Sequence, residues 1–239
     1  MRQQLAAALT GFLMLCTQAS AGSLQVSPVL VDVAPPGAAA SVQLSNLSGQ
    51  PMVAQVRVYK WSQVNGTDKL EETKDVVVSP PIAKLKPNGQ SVIRVVRRAK
   101  SAPQGEESYR IVVDQVPEKK AKGSGISFAV RYSIPVFFGG LDDSTAPIVW
   151  NVSSTGSKTV LTATNTGARR VRIADLKLKS KTGSVSFGEG LAGWILPSST
   201  VRWTASGALK GLNQNGKVSI SASTEHGPLQ ATGTIQAAQ

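Results

Sequence analysis

Few residues in this chain have the types and spacing that chemistry requires. His226 is the single histidine, and it lies in Ser223-Thr224-Glu225-His226-Gly227-Pro228, a turn-like stretch. A catalytic or metal-bound histidine needs partners placed around it by the fold. With no second histidine, His226 reads as a surface turn residue. Glu71-Glu72 and Asp142-Asp143 are paired acids of the kind a glycosidase would use, but both occupy polar, turn-like stretches and read as solvated charge. Gly183 and Gly188-Glu189-Gly190 do not stand between a strand and a helix, so no phosphate-binding loop is indicated. The one cysteine, Cys16, sits in the N-terminal apolar run, which leaves the rest of the chain without a disulfide, a thiol nucleophile or a thiolate metal site. The expectation is a non-enzyme with no catalytic residue, no metal and no cofactor.

Two basic residues are more informative. Arg110 interrupts Tyr109-Arg110-Ile111-Val112-Val113, and Arg131 interrupts Val130-Arg131-Tyr132. One arginine in one strand usually points at solvent. Two arginines on consecutive strands that pair with each other could form a fork that holds a carboxylate, because a guanidinium presents paired donors to both oxygens.

The elements that must position them are strands. Ile126, Phe128, Val130, Tyr132, Ile134 and Val136 alternate with Ser127, Ala129, Arg131, Ser133 and Pro135, and Val42, Leu44, Met52, Ala54, Val56 and Val58 flank a turn at 45–49. Alternation with period two puts one face in a core and the other toward water, the pattern of antiparallel sheets. No sustained helical period interrupts it. Strands are expected near 24–33, 40–46, 52–61, 74–79, 90–98, 108–116 and 124–138, then near 148–153, 158–165, 170–178, 183–188, 200–205, 216–223 and 229–236. Seven alternating strands around one core is the immunoglobulin-like count. The fold class expected is all-β, with two immunoglobulin-like sandwiches at an angle. The N-terminal domain is expected over 22–140 and the C-terminal sandwich over 141–239, joined near Gly139-Gly140-Leu141-Asp142-Asp143-Ser144.

The N-terminus sets the compartment. Arg2, the apolar run from Leu5 to Cys16, and Gln18-Ala19-Ser20-Ala21 form a secretory signal over residues 1–21. Its apolar run is shorter than the ~20 residues of a spanning helix, so no stable membrane insertion is expected. About 218 of the 239 residues remain after cleavage, and the net charge falls by one, with Arg2, from +12 to +11. Export, and aromatics that do not interleave with the basic residues, argue against nucleic acid. The charge suits a solvated basic surface or steering toward an acidic partner.

Several segments together resemble the periplasmic pilus (fimbrial) chaperones of the chaperone–usher pathway: Leu24-Gln25-Val26-Ser27-Pro28-Val29, Ser41-Val42-Gln43-Leu44-Ser45-Asn46, the stretch from Ser79-Pro80-Pro81 to Val92-Ile93-Arg94, and Glu107-Ser108-Tyr109-Arg110 through Val116-Pro117. The resemblance covers most of 23–140 and is looser over 147–236, where Asn165-Thr166-Gly167 and Trp194-Ile195-Leu196-Pro197 fit in type. It implies a chaperone that lends a strand to pilus subunits, each an immunoglobulin fold lacking its last strand, and passes them to an outer-membrane usher in the periplasm. The implied donor strand presents Ile126, Phe128 and Val130. The implied anchor for the subunit's C-terminal carboxylate departs from the better-known branch of the family: Pro28 lies near one usual basic position, and Arg110 with Arg131 could replace that pair, which resembles the archaic branch. The resemblance also implies an ion cluster of Arg94, Glu107 and Glu225 across the hinge. The competing reading is an exported structural or adhesive surface protein built from the same sandwiches; an exported carbohydrate-active enzyme has little to support it.

Overall fold

The computed structural model describes residues 24–117, 129–140, 146–155, 157–180, 183–207 and 216–235. The signal segment, Ile126 and Phe128, and most of the expected domain junction lie outside these residues. Among the described residues, ten strands precede residue 140: β1 (Leu24–Ser27), β2 (Val31–Val33), β3 (Ala39–Asn46), β4 (Met52–Val64), β5 (Thr67–Glu72), β6 (Val76–Ser79), β7 (Ile82–Leu85), β8 (Gln90–Arg97), β9 (Glu107–Val116) and β10 (Arg131–Phe138). Eight follow: β11 (Ile148–Thr155), β12 (Lys158–Asn165), β13 (Val171–Ser180), β14 (Gly183–Ser186), β15 (Leu191–Ile195), β16 (Thr200–Ser206), β17 (Lys217–Thr224) and β18 (Gly227–Ile235).

The first sandwich packs a sheet of order β1-β3-β8-β6 on one of order β2-β10-β9-β4-β5, with β7 also paired to β4. Alternation decides which side chains meet between the sheets. Val42 and Leu44 from β3 and Ile93 and Val95 from β8 face Ala54, Val56, Ile111, Val113, Ile134 and Val136 in one buried cluster. Each fully buried Val, Leu or Ile contributes about 1.5–3 kcal/mol, and with no disulfide possible this burial holds the sandwich together. The second sandwich runs β14-β13-β17-β18-β11-β12-β16 in one hydrogen-bonded path, with β15 on β13. It encloses Val152, Leu161, Ile173, Leu178, Val218 and Ile220.

Both sandwiches pin a turn with a buried asparagine. Asn46 Oδ1 accepts from Ser48 N at 2.9 Å while its Nδ2 donates to Gln50 O and Lys86 O at 2.7 and 3.0 Å. Asn165 repeats the device: Oδ1 accepts from Gly167 N, and Nδ2 donates to Arg169 O and Ile195 O. Each side chain supplies the bonds that a buried turn backbone otherwise lacks.

Three expectations are corrected. The strand expected over 24–33 is two strands in different sheets, because Pro28 has no N–H to continue a ladder; β1 pairs with β3 and β2 with β10. The expected strand 52–61 extends to Val64 and returns as β5 through Asn65-Gly66, whose φ angles of 53° and 81° make the tight turn that hairpins favour. Strands β7 and β15 fall outside the spans where strands were expected.

Candidate strand-docking edge and interdomain face

Strand β10 is hydrogen-bonded to β9 over its whole length, from Arg131 opposite Asp114 to Phe138 opposite Glu107. On its other side β2 covers it only at Val136, Phe137 and Phe138. Among the described residues, Arg131 to Pro135 therefore present an open edge. Pro135 fits there because an edge tolerates a missing N–H. Unpaired N–H and C=O groups along an edge are a template for another strand. Val130, just before β10, continues the line: it is half-buried and its carbonyl accepts from Gln115 N at 2.9 Å.

The even-numbered residues of β10 enter the core, so the odd-numbered ones lie on the sheet's outer face with their neighbours on β9, β4 and β5. Three rows of side chains occupy that face. In the first, Asp114 lies between two arginines: Arg57 Nη2 reaches it at 2.5 Å and Arg131 Nε bonds its other oxygen. Burial works to raise the Asp114 pKa, but the bonds from Arg131 and Arg57 outweigh it and hold the carboxyl below its ordinary value. In the second row the Arg110 guanidinium stacks 3.8 Å from the centroid of Trp61. Its Nη2 lies 3.6 Å from Asp68 Oδ2. Burial lowers the Arg110 pKa, and Asp68 offsets this in part.

The third row joins the two sandwiches. Trp61 and Phe137 from the first bury against Trp194 and Leu196 from the second. Gln63 spans the junction with its amide: Nε2 donates to Trp194 O at 2.8 Å, and Oε1 accepts from Leu196 N at 3.0 Å. Gly66 pairs with Val201, and a Cβ at Gly66 would sit 3.0 Å from Arg202 Cβ, so the hairpin tip needs its glycine to approach β16. Gly139 is required for a similar reason: its φ is 94°, and a Cβ there would lie 2.4 Å from Gly105 O. Arg170 completes the joint. Its guanidinium bonds Glu106 Oε2 and Asp32 Oδ2, and its backbone N donates to Glu106 Oε1 at 3.0 Å. Burial raises the Glu106 pKa, and Arg170 opposes that shift.

The expected site residues are distributed as follows. Arg110 and Arg131 do share one face of two paired strands, but not one fork. Arg131 is opposite Asp114 and Arg110 is opposite Pro135, four residues along, which is about 13 Å at the rise of a strand. Each has its own acid. The ion cluster of Arg94, Glu107 and Glu225 does not assemble. Arg94 is exposed, because Ile93 and Val95 take the core-facing positions of β8. Three residues on, opposite parity brings Arg97 inward, where Nε and Nη2 bond Glu107 at 2.8 Å each. The bond from Arg97 holds the Glu107 pKa below its ordinary value against the effect of burial. Glu225 instead accepts from Arg172 N at 2.8 Å.

Sequence reasoning missed Trp61, Asp68, Asp114 and the whole Arg170 joint. The Asn65-Gly66 pair was a hairpin signal that would have placed Asp68 beside Gln63. Arg169-Arg170 carried no local sign of its distant acids. His226 lies in the turn between β17 and β18, as expected, and its N donates to Thr224 Oγ1 at 3.1 Å.

Residues 23–139 match the family described as pili and flagellar-assembly chaperone, PapD N-terminal domain. The chain is 36% identical over 63 residues to the chaperone protein ClpE of Escherichia coli, a match spanning 26% of this chain and 24% of that protein. It is 23% identical over 108 residues to the chaperone protein CssC of Escherichia coli, spanning 41% of this chain and 44% of that one. The matched segments thus cover less than half the length of these curated relatives. The fold matches further. The crystal structure of the CsuC-CsuE chaperone-tip adhesion subunit pre-assembly complex, from archaic chaperone-usher Csu pili of Acinetobacter baumannii, superposes with a TM-score of 0.66 at 25% identity, covering 91% of this chain and 100% of the other. The chain belongs to the pilus-assembly chaperones, by its matched N-terminal half and by the two-sandwich fold it shares with them.

Proposed function

We propose that this protein is a periplasmic chaperone that captures unassembled pilus subunits by donating a strand and delivers them to an outer-membrane usher. The observation that carries the reading is the open edge of β10 from Arg131 to Pro135, in a chain of the pilus-chaperone family. Strand addition is the established mode of chaperone–pilin pairing. Its main-chain bonds are each worth about 0.5–1.5 kcal/mol net, and pocket-filling side chains set the register. Ile126, Phe128 and Val130 share sequence parity with Ile134 and Val136, so they are the side chains offered to the subunit's groove. Burial of that groove supplies the driving force, and no nucleotide or other cofactor is needed.

Arg110 is the anchor for the subunit's terminal carboxylate, and Arg131 is a second basic contact further along the docked strand. Anchoring a chain end fixes register, and a one-residue slip would turn every donor side chain to the wrong face. The test is co-purification of a co-expressed pilus subunit from periplasm. Wild type retains the subunit, and Phe128→Asp, Val130→Asp does not. An equally stable complex with that double variant would overturn the reading. Arg110→Ala, Arg131→Ala, with chaperone abundance matched, tests the anchor separately.

A further inference from the structure

Arg110 is held unusually for a guanidinium that is only 17% exposed. It lies flat on Trp61, and its acidic partner among the described residues is Asp68, at 3.6 Å. That separation is an ion pair without a hydrogen bond. The contrast with the next row is clear, because Asp114 draws Arg57 to 2.5 Å. Asp68 is also 51% exposed, and its other oxygen accepts from Gln63 Nε2 at 2.9 Å. Asp68 is therefore tied firmly to its own hairpin and only by charge to Arg110. Burial works against the charged form of Arg110, and a carboxylate at 3.6 Å offsets that cost in part.

We propose that Asp68 is an internal placeholder on Arg110: its carboxylate occupies the electrostatic position of a partner's terminal carboxylate and yields it when a docking chain brings an oxygen within hydrogen-bonding distance. The inference rests on Arg110 being the anchor. It identifies Asp68 as a residue that sets affinity by competition. A carboxylate arriving on the β10 side makes charge-assisted bonds that Asp68 does not make, and such bonds exceed a half-exposed ion pair in strength. Gln63 keeps its bonds to the second sandwich during the exchange, so the joint stays closed.

Asp68→Asn separates the two roles of the side chain. The amide oxygen still accepts from Gln63, and the negative charge is gone. The experiment is an NMR titration of the 15N-labelled protein, purified as the cell exports it. The probes are an N-acetylated tripeptide with a free C-terminal carboxylate and the same tripeptide as its C-terminal amide. The indole N–H of Trp61, buried without a hydrogen-bond partner and directly under Arg110, is the reporter. The free acid is expected to bind Asp68→Asn about two- to fivefold more tightly than wild type, and the amide is expected to produce no saturable shift in either. Arg110→Gln is expected to abolish the response. Tighter binding that persists in Arg110→Gln overturns the anchor itself. Loss of binding in Arg110→Gln, together with equal or weaker binding in Asp68→Asn, leaves the anchor standing and overturns the placeholder. No saturable shift with the free acid in Asp68→Asn overturns both.

Discussion

The guanidinium of Arg170, from the second sandwich, lies 3.7 Å from the centroid of Phe137, on the β10 strand of the first. The same guanidinium bonds Glu106, whose side chain is fully buried, and Asp32 on β2. One side chain therefore holds together the domain joint, the strand with the open edge, and the short strand that limits that edge.

Arg170→Ala should be the most damaging single change at the joint. It removes the bonded cation from the buried Glu106 carboxylate and leaves it the looser contact to Arg169 at 4.0 Å, and breaking a buried pair costs about 3–5 kcal/mol. Equilibrium urea denaturation checks it, and a change below about 1 kcal/mol would show that the joint is not a buried charge network.

Arg94→Ala and Arg97→Ala should differ sharply although the two residues are three positions apart on one strand. Arg94 is exposed and its loss should stay within about 0.5 kcal/mol. Arg97 makes two bonds to Glu107, and its loss should cost about 2 kcal/mol or more. Thermal melts of the two variants side by side decide the matter.

Neighbouring glutamates should give opposite pH dependence. The Glu107 pKa is depressed by Arg97, so its contribution is present above the ordinary carboxylate value of about 4.3 and is lost as the pH falls through the folded value. The stability gap between wild type and Glu107→Gln should be largest near neutrality and close in acid. The Glu106 pKa is raised by burial, so its contribution is present below the ordinary value and is lost as the pH rises through the raised one. Wild type should gain on Glu106→Gln as the pH is lowered. Denaturation midpoints from pH 3 to 7 read both slopes.

Val130→Asp should leave the protein folded and remove subunit capture. Val130 stands outside β10 and is only half-buried, and Ile134 and Val136 fill the core at the same parity. An unfolded variant by circular dichroism would mark Val130 as a core residue and move the docking register.

What was legible in the sequence followed period two. The alternation from Tyr132 to Val136 and along 40–58 placed the right faces inward, and turn residues such as Asn46 and Asn165 took the positions their side chains suit. The failures have physical causes. A strand that changes sheets at Pro28 keeps its alternation and so looks continuous. A salt bridge assigned by resemblance fails when the counted position has the wrong parity, as at Arg94. Arg170 reaches Glu106 and Asp32 across 64 and 138 positions of sequence, and no local pattern encodes such a pairing.

The bridge made by Gln63 has a consequence for timing. It closes onto the backbone of Trp194 and Leu196, 131 and 133 residues further along the chain. Chains emerge N-terminus first, and N-terminal domains fold ahead of later ones. The first sandwich can thus form, with the β10 edge already present, while the residues that complete the face beside Arg110 have yet to fold. Recognition that needs the edge alone is ready early. Recognition that needs the closed joint is switched on only by the last part of the chain.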